Sequence, residues 1–127
     1  MNRVTLILVL TMTVLLGSSG VCWSADFQKG LDAYVRGDDA TALKEWTSLA
    51  EQGDASAQGN LGARYAFGKG TLKDYVAAHM WGNIAAMNGN ELGGKLRDDF
   101  EKQMTTEQIA EARKLARECV AKNYKGC

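Results

Sequence analysis

The stretch SAQGNLGARYAFGKGTLKDYVAAHMWGNIAAMNG, residues Ser56 to Gly89, decides how the rest of the chain is interpreted. It holds a Gly-Lys-Gly-Thr loop, residues 68–71, between two alanine-rich segments that lack the alternation of a strand. Glycine-rich loops that carry a lysine bind phosphates in some nucleotide-binding proteins. The loop is therefore either a phosphate-binding loop or the turn of a helical hairpin.

The spacing around the loop excludes phosphate binding. A loop of the G-x4-G-K-[ST] type lies between a strand and a helix, so that its amides point at the phosphate. Here five residues separate Gly62 from Gly68, and Lys69 is followed by Gly70 rather than by Ser or Thr. A helical segment precedes the loop. We therefore predict a hairpin turn in which Gly68 ends one helix and Asp74 caps the next.

A second, earlier copy of this helix–turn–helix pattern lies upstream of the turn. Gly53 aligns with Gly89 at an offset of 36 residues. Gly37 aligns with Gly68 at an offset of 31 residues. The difference of five residues places a longer turn in the second hairpin, within residues 68–74.

The composition favours helix, because alanine is frequent and proline is absent. Leu92, Leu96, Phe100 and Met104 recur every four residues and are predicted to form one apolar stripe. A capping box at Thr105 is predicted to begin the last helix. We expect an all-α protein whose six helices lie at about 27–36, 40–52, 55–67, 75–88, 91–103 and 106–122.

The opening stretch resembles a Sel-one-like repeat (SLR), a relative of the tetratricopeptide repeat. The family pattern is roughly A-x3-L-G-x2-Y-x2-G-x-G-x3-D-x3-A-x2-W-x3-A-A-x2-G. The resemblance covers residues 26–89, although the first unit has a short turn without the second glycine. The ending MTTEQIAEARKLA also resembles the closing hairpin of exported bacterial members. All twelve positions of the pattern are filled, by Ala57, Leu61, Gly62, Tyr65, Gly68, Gly70, Asp74, Ala78, Trp81, Ala85, Ala86 and Gly89.

The resemblance implies a right-handed α-solenoid whose concave face is lined by the first helix of each hairpin. We expect a degenerate first repeat at 25–53, an SLR at 54–89, and a capping helical hairpin with a disulfide-tied tail at 90–127. Proteins of this kind generally act as adaptors. The predicted function is therefore a binding module for a protein or peptide of unknown identity.

Four residues on the first helices of the hairpins are candidates for binding: Tyr34, Asn60, Arg64 and Phe67. Tyrosine and arginine are frequent anchors because each combines contact area with hydrogen bonding. Tyr65 fills a structural position of the repeat and is predicted to pack. Tyr34 has the same alternative, and for Asn60, Arg64 and Phe67 a role in binding and a role in packing both stay open.

The first residues are expected to be a signal peptide. Arg3 precedes an uncharged, mostly apolar run of 13 residues, 4–16, and a small-residue stretch, 17–20, follows it. The run is too short to span a membrane as a helix. We expect segment 1–24 to be removed, by cleavage after Ser24 or Ala25, from a periplasmic or secreted protein without a stable membrane anchor.

Two cysteines, Cys119 and Cys127, follow the predicted cleavage site. In an exported protein such a pair indicates a disulfide, whereas in a reducing compartment the two would be free thiols. A lipid anchor at Cys22 would need a small residue in place of Val21.

The charge excludes nucleic acid as a partner. Without Arg3, 14 Lys and Arg face 15 Asp and Glu, a net charge of −1. No basic block is present, so the electrostatic footprint of a nucleic-acid-binding protein is missing.

Catalytic chemistry is not expected, and neither is a cofactor or a metal. His79 is the only histidine and is predicted to be a partly exposed packing residue. The acidic pairs Asp38-Asp39 and Asp98-Asp99 are predicted to be solvated surface charges. No G-x-S-x-G or S-x-x-K nucleophile motif is present.

Two alternatives to the binding module remain. Some secreted, cysteine-rich SLR proteins have been linked to β-lactam binding or hydrolysis, which suggests a binder or hydrolase of cell-wall fragments or β-lactams. Those relatives carry a cysteine pair in each repeat, whereas this chain has only the terminal pair. The other alternative is a short structural solenoid that associates, through its ends, with itself or with another repeat protein.

Overall fold

The structure is a computed structural model that describes residues 25–127; the predicted signal peptide lies outside the described residues. The described part forms helices and no strand, which confirms the all-α prediction. Helix bounds differ from the expected ones by at most two residues. The helices are α1 Ala25–Val35, α2 Asp39–Glu51, α3 Ala55–Phe67, α4 Tyr75–Met87, α5 Glu91–Glu101 and α6 Thr106–Ala121.

Side-chain caps set where the helices begin. In each of α2 to α6 the capping side chain accepts a hydrogen bond from the backbone N–H three residues further on, which satisfies a donor that the first turn leaves free. The capping box at Thr105 forms as predicted, because the Thr105 N–H donates to Gln108 Oε1 at 2.9 Å. The caps are Asp38, Asp54, Asp74, Asn90 and Thr105.

The longer turn of the second hairpin packs onto the first hairpin. Gly70 has a φ of +80°, and a Cβ at this position would lie 2.6 Å from the backbone oxygen of Asp39. A side chain at this position is therefore disfavoured both by conformation and by the space available. The long turn therefore has two roles. It joins α3 to α4, and it packs against the first hairpin at Asp39.

The central helix is α4, which contacts α3, α5 and α6. The expected apolar stripe on α5 is wrong at its first position, because Leu92 is 62% exposed. Gly93 and Gly94 face α4 instead. A Cβ on Gly93 would lie 2.6 Å from the Cβ of Ala85, so the two helices approach too closely for a larger side chain to fit between them.

His79 is not partly exposed as predicted; its side chain is 0% exposed. Its Nε2 lies 2.7 Å from Oε1 of Glu101, and the same oxygen accepts a hydrogen bond from Arg113 at 3.2 Å. The hydrogen bond from His79 is the main reason why the pKa of Glu101 lies below its usual value, and Arg113 contributes less. This cluster joins α4, α5 and α6.

The residues after α6 connect the end of the chain to both hairpins. The Sγ atoms of Cys119 and Cys127 lie 2.06 Å apart, as in a disulfide. The Tyr124 hydroxyl lies 3.2 Å from Nδ2 of Asn88, at the end of α4. Lys125 Nζ donates to the backbone oxygen of Glu51, at the end of α2, at 2.8 Å.

Candidate functional site

A groove of about 540 Å³ opens between the end of α1, the start of α2 and the end of α3. We call it the α1–α3 groove. It is open to solvent and combines aromatic walls with charged side chains. Its lining residues are Tyr34, Gly37, Asp39, Ala63, Arg64, Phe67 and Lys69.

Arg64 forms the floor of the groove. Its Nη1 donates to Oδ1 of Asp39 at 3.0 Å, which joins α3 to the start of α2. The guanidinium carbon lies 4.5 Å from the ring centroid of Tyr34 and 5.5 Å from that of Trp46. Because only 12% of its side chain is exposed, Arg64 offers little surface to a ligand. Its main role is to hold the walls of the groove in place.

Tyr34 and Phe67 form aromatic walls that are both exposed and held in place. Tyr34 is 47% exposed, and its ring packs at 6.1 Å against the buried Trp46. Phe67 is 65% exposed, and its ring meets Phe100 edge to face at 6.4 Å. Aromatic surface that is already ordered loses little conformational entropy when a partner covers it.

The charges that line the groove sum to a net positive value. Arg64 and Lys69 are cations, whereas Asp39 is the single anion among the lining residues. The Asp39 carboxylate already accepts from Arg64. Lys69 is exposed and forms no ion pair within residues 25–127.

The groove brings together three of the four predicted binding residues. Tyr34, Arg64 and Phe67 line it, whereas Asn60 is half-buried and does not. Asp39 was predicted to be a solvated charge, and this is wrong, because its side chain is 33% exposed and paired with Arg64. The other acidic pair, Asp98-Asp99, is exposed as expected.

Sequence reasoning missed the two other charged residues that line the groove, Asp39 and Lys69. Asp39 and Arg64 lie 25 positions apart, so no local spacing indicates their contact. Lys69 was considered only as a possible phosphate ligand. It directly follows Gly68, which ends α3, so its position in the sequence already indicated that it lies beside the end of that helix. The burial of His79 had a clearer signal, because α4 is apolar on nearly all sides.

The residues that match the repeat pattern lie where helices meet and where turns form. Gly68 closes α3 in the left-handed conformation, with a φ of +64°, and Asp74 caps α4. Tyr65 is half-buried against the core. Gly62 lies where α3 crosses α4, close to the backbone of Ala78. Several pattern positions are fully or almost fully buried: Ala57, Leu61, Ala78, Trp81 and Ala85.

Two further pockets of about 270 Å³ each are present in the described part. One lies beside the disulfide, between α4, α6 and the residues after α6. The other lies between α4, α5 and α6, where Arg97 pairs with Asp98 and Arg113 pairs with Glu101. In this second pocket the charges satisfy one another. None of the helices described is long and apolar enough to cross a membrane.

No protein-family model and no curated protein matches the chain. A solved structure does: that of a protective antigen present in uropathogenic Escherichia coli strains, described as displaying an SLR fold. The match has a TM-score of 0.71 and 30% sequence identity, and it covers 79% of this chain. This chain has an SLR fold.

The SLR fold confirms the resemblance predicted from the twelve pattern positions. It also supports, in general terms, a helical-repeat protein-interaction module. The chain spans only 23% of the length of the matched structure.

Proposed function

We propose that this chain is an exported helical-repeat adaptor that binds a protein or peptide in the α1–α3 groove. The groove lies on the face formed by the first helices of the two hairpins, which we take to be the concave face. Asn60 lies one helical turn before Arg64 and extends this face beyond the groove. In this proposal the protein acts by binding alone and has no catalytic role.

One observation carries the proposal: Tyr34 and Phe67 remain about half exposed or more although contacts to other rings hold each of them in place. Tyrosine is enriched among the side chains that dominate binding energy, and tyrosine and phenylalanine are both enriched at the core of interfaces. Contiguous apolar surface on soluble proteins often marks an interaction site, and both rings line the same groove.

Export is part of the proposal and has its own support. The Cys119–Cys127 disulfide is of the kind that persists in oxidising compartments. It agrees with the predicted signal peptide, and both point to a periplasmic or secreted protein.

Photo-crosslinking in the producing cell tests the proposed face. A photoreactive phenylalanine derivative replaces Phe67 in one variant and Tyr34 in another, and the adducts are identified by mass spectrometry. The matched control replaces Leu92, which is about as exposed as Phe67 but lies outside the groove. We expect one partner protein from positions 67 and 34 and none from position 92.

Other outcomes identify the alternatives. Adducts from position 92 alone, or equally from all three positions, contradict the proposed face. Adducts between copies of this chain indicate the self-associating solenoid. Heat or turnover when the mature chain is titrated with cell-wall fragments or penicillins indicates a small-molecule function.

A further inference from the structure

We infer that the α1–α3 groove selects a peptide segment in which an acidic side chain lies next to an apolar or aromatic one. This inference rests on the proposed function, because it specifies the chemistry of the partner that the groove binds. It depends on three features: the unpaired cation, the fixed backbone that carries it, and the two aromatic walls.

The unpaired cation is Lys69. Among the charged residues that line the groove, Asp39 and Arg64 satisfy one another, with Nη1 and Oδ1 3.0 Å apart. Lys69 has no ionic partner within residues 25–127 and is exposed. A partner that brings an anion gains a favourable interaction here, whereas one that brings a cation is repelled by Lys69 and finds the Asp39 carboxylate already paired with Arg64.

The backbone that carries Lys69 is held on both sides. The Lys69 N–H donates to the carbonyl oxygen of Arg64 at 2.9 Å, and Gly68 precedes it in the left-handed conformation. Gly70 follows it and packs against the backbone of Asp39. The backbone therefore keeps Lys69 at the rim of the groove, and its exposed side chain can turn toward a ligand.

The aromatic walls determine what lies beside the anion. Tyr34 and Phe67 present ring surface to solvent on α1 and α3, so they favour an apolar side chain between them. A carboxylate next to that side chain is then placed near Lys69.

A single unpaired cation is too weak an electrostatic site for a nucleic acid, which needs several phosphate contacts.

Selection from a random peptide display library on the immobilised mature chain tests this inference. We expect enriched peptides to contain Asp or Glu adjacent to an aromatic or aliphatic residue, and to lose binding to F67A. The affinity of a synthetic enriched peptide should fall about threefold with K69Q and about tenfold with K69E, and should weaken with rising salt.

The matched control is K73E. Lys73 belongs to the same turn but lies over the ring of Tyr75 at 4.8 Å, outside the groove. The affinity should be unchanged in this variant. Equal losses from K69E and K73E would show that the turn attracts acidic peptides without using the groove, and would overturn the inference.

The remaining outcomes separate the inference from the proposed function. Enriched peptides that depend on Phe67 but carry no acidic residue overturn the inference and leave the proposed function standing. Enrichment that F67A and Y34A both leave unchanged contradicts the proposed function as well. Circular dichroism of each variant verifies that the fold is retained.

Discussion

Arg64 donates to Asp39 across the boundary between the two hairpins, with Nη1 and Oδ1 3.0 Å apart. The same guanidinium lies over the ring of Tyr34. One side chain thus joins three helices and supports the wall of the groove. The stability of the hairpin boundary and the shape of the candidate site depend on the same contacts.

Replacing Asp39 with Ala should lower the free energy of unfolding by about 1–2 kcal/mol, because Arg64 is mostly buried and loses its charged acceptor. Urea denaturation measures this change. The control is D99A, which removes the acidic partner of Lys102 from an exposed ion pair and should have no measurable effect. Equal losses would show that the Arg64–Asp39 pair contributes no more than a surface pair.

Replacing Gly70 with Ala should destabilise the protein more than replacing Gly37 with Ala. The two glycines have nearly the same φ, +80° and +77°, so the conformational cost is matched. A Cβ at Gly37 has nothing within 4 Å, whereas a Cβ at Gly70 meets the Asp39 backbone at 2.6 Å. We expect an excess loss of about 1 kcal/mol or more for G70A in thermal or urea denaturation. No difference would contradict the close approach of the turn to α2.

The stability of the protein should depend on the ionisation of Glu101. Its pKa is lowered in the folded protein, first by the hydrogen bond from His79 and then by Arg113. A depressed pKa contributes stability above the unfolded value of 4.5, and this contribution is lost as the pH falls through the folded value.

Urea denaturation at several pH values between 3 and 7 measures the dependence on Glu101. The E101Q variant should be less stable than the unmodified protein at pH 7, and the difference should shrink below about pH 4.5. E111Q is the control, since Glu111 is exposed and has no ion pair within the described part. A constant difference between E101Q and the unmodified protein at all pH values would contradict the prediction.

Reduction of the Cys119–Cys127 disulfide should lower the free energy of unfolding by about 2–3 kcal/mol, as expected for a short closed loop. Denaturation with and without a phosphine reductant measures the effect. The C119A/C127A variant is the control, because the reductant should not change its stability. A reductant effect of equal size in both would show that it does not act through this disulfide.

Local rules predicted most of the fold. Asp54, Asp74 and Thr105 are good caps, and Gly53 and Gly68 are good helix ends, so the helices could be placed from short-range patterns alone. Leu92 was misassigned because two glycines beside it allow α5 to approach α4 closely. That approach depends on where α4 lies. The spacing of apolar residues along α5 carries no information about the position of another helix.

The candidate site was predicted only in part. Tyr34 and Phe67 were selected because of their residue type and their place on the first helices. Asp39 was not selected, because its contact with Arg64 forms only when the long turn brings the two hairpins together. Long-range ion pairs of this kind have no signature in a single sequence.

The hydrogen bond from Lys125 to Glu51 joins residues 74 positions apart. Closing so long a segment costs chain entropy before the contact can stabilise anything, so it is expected to form late in folding. On a chain that is still being synthesised, neither this bond nor the Cys119–Cys127 disulfide can form until the final turn has emerged. The contact between the tail and the end of α2 is therefore made only after both hairpins have been synthesised.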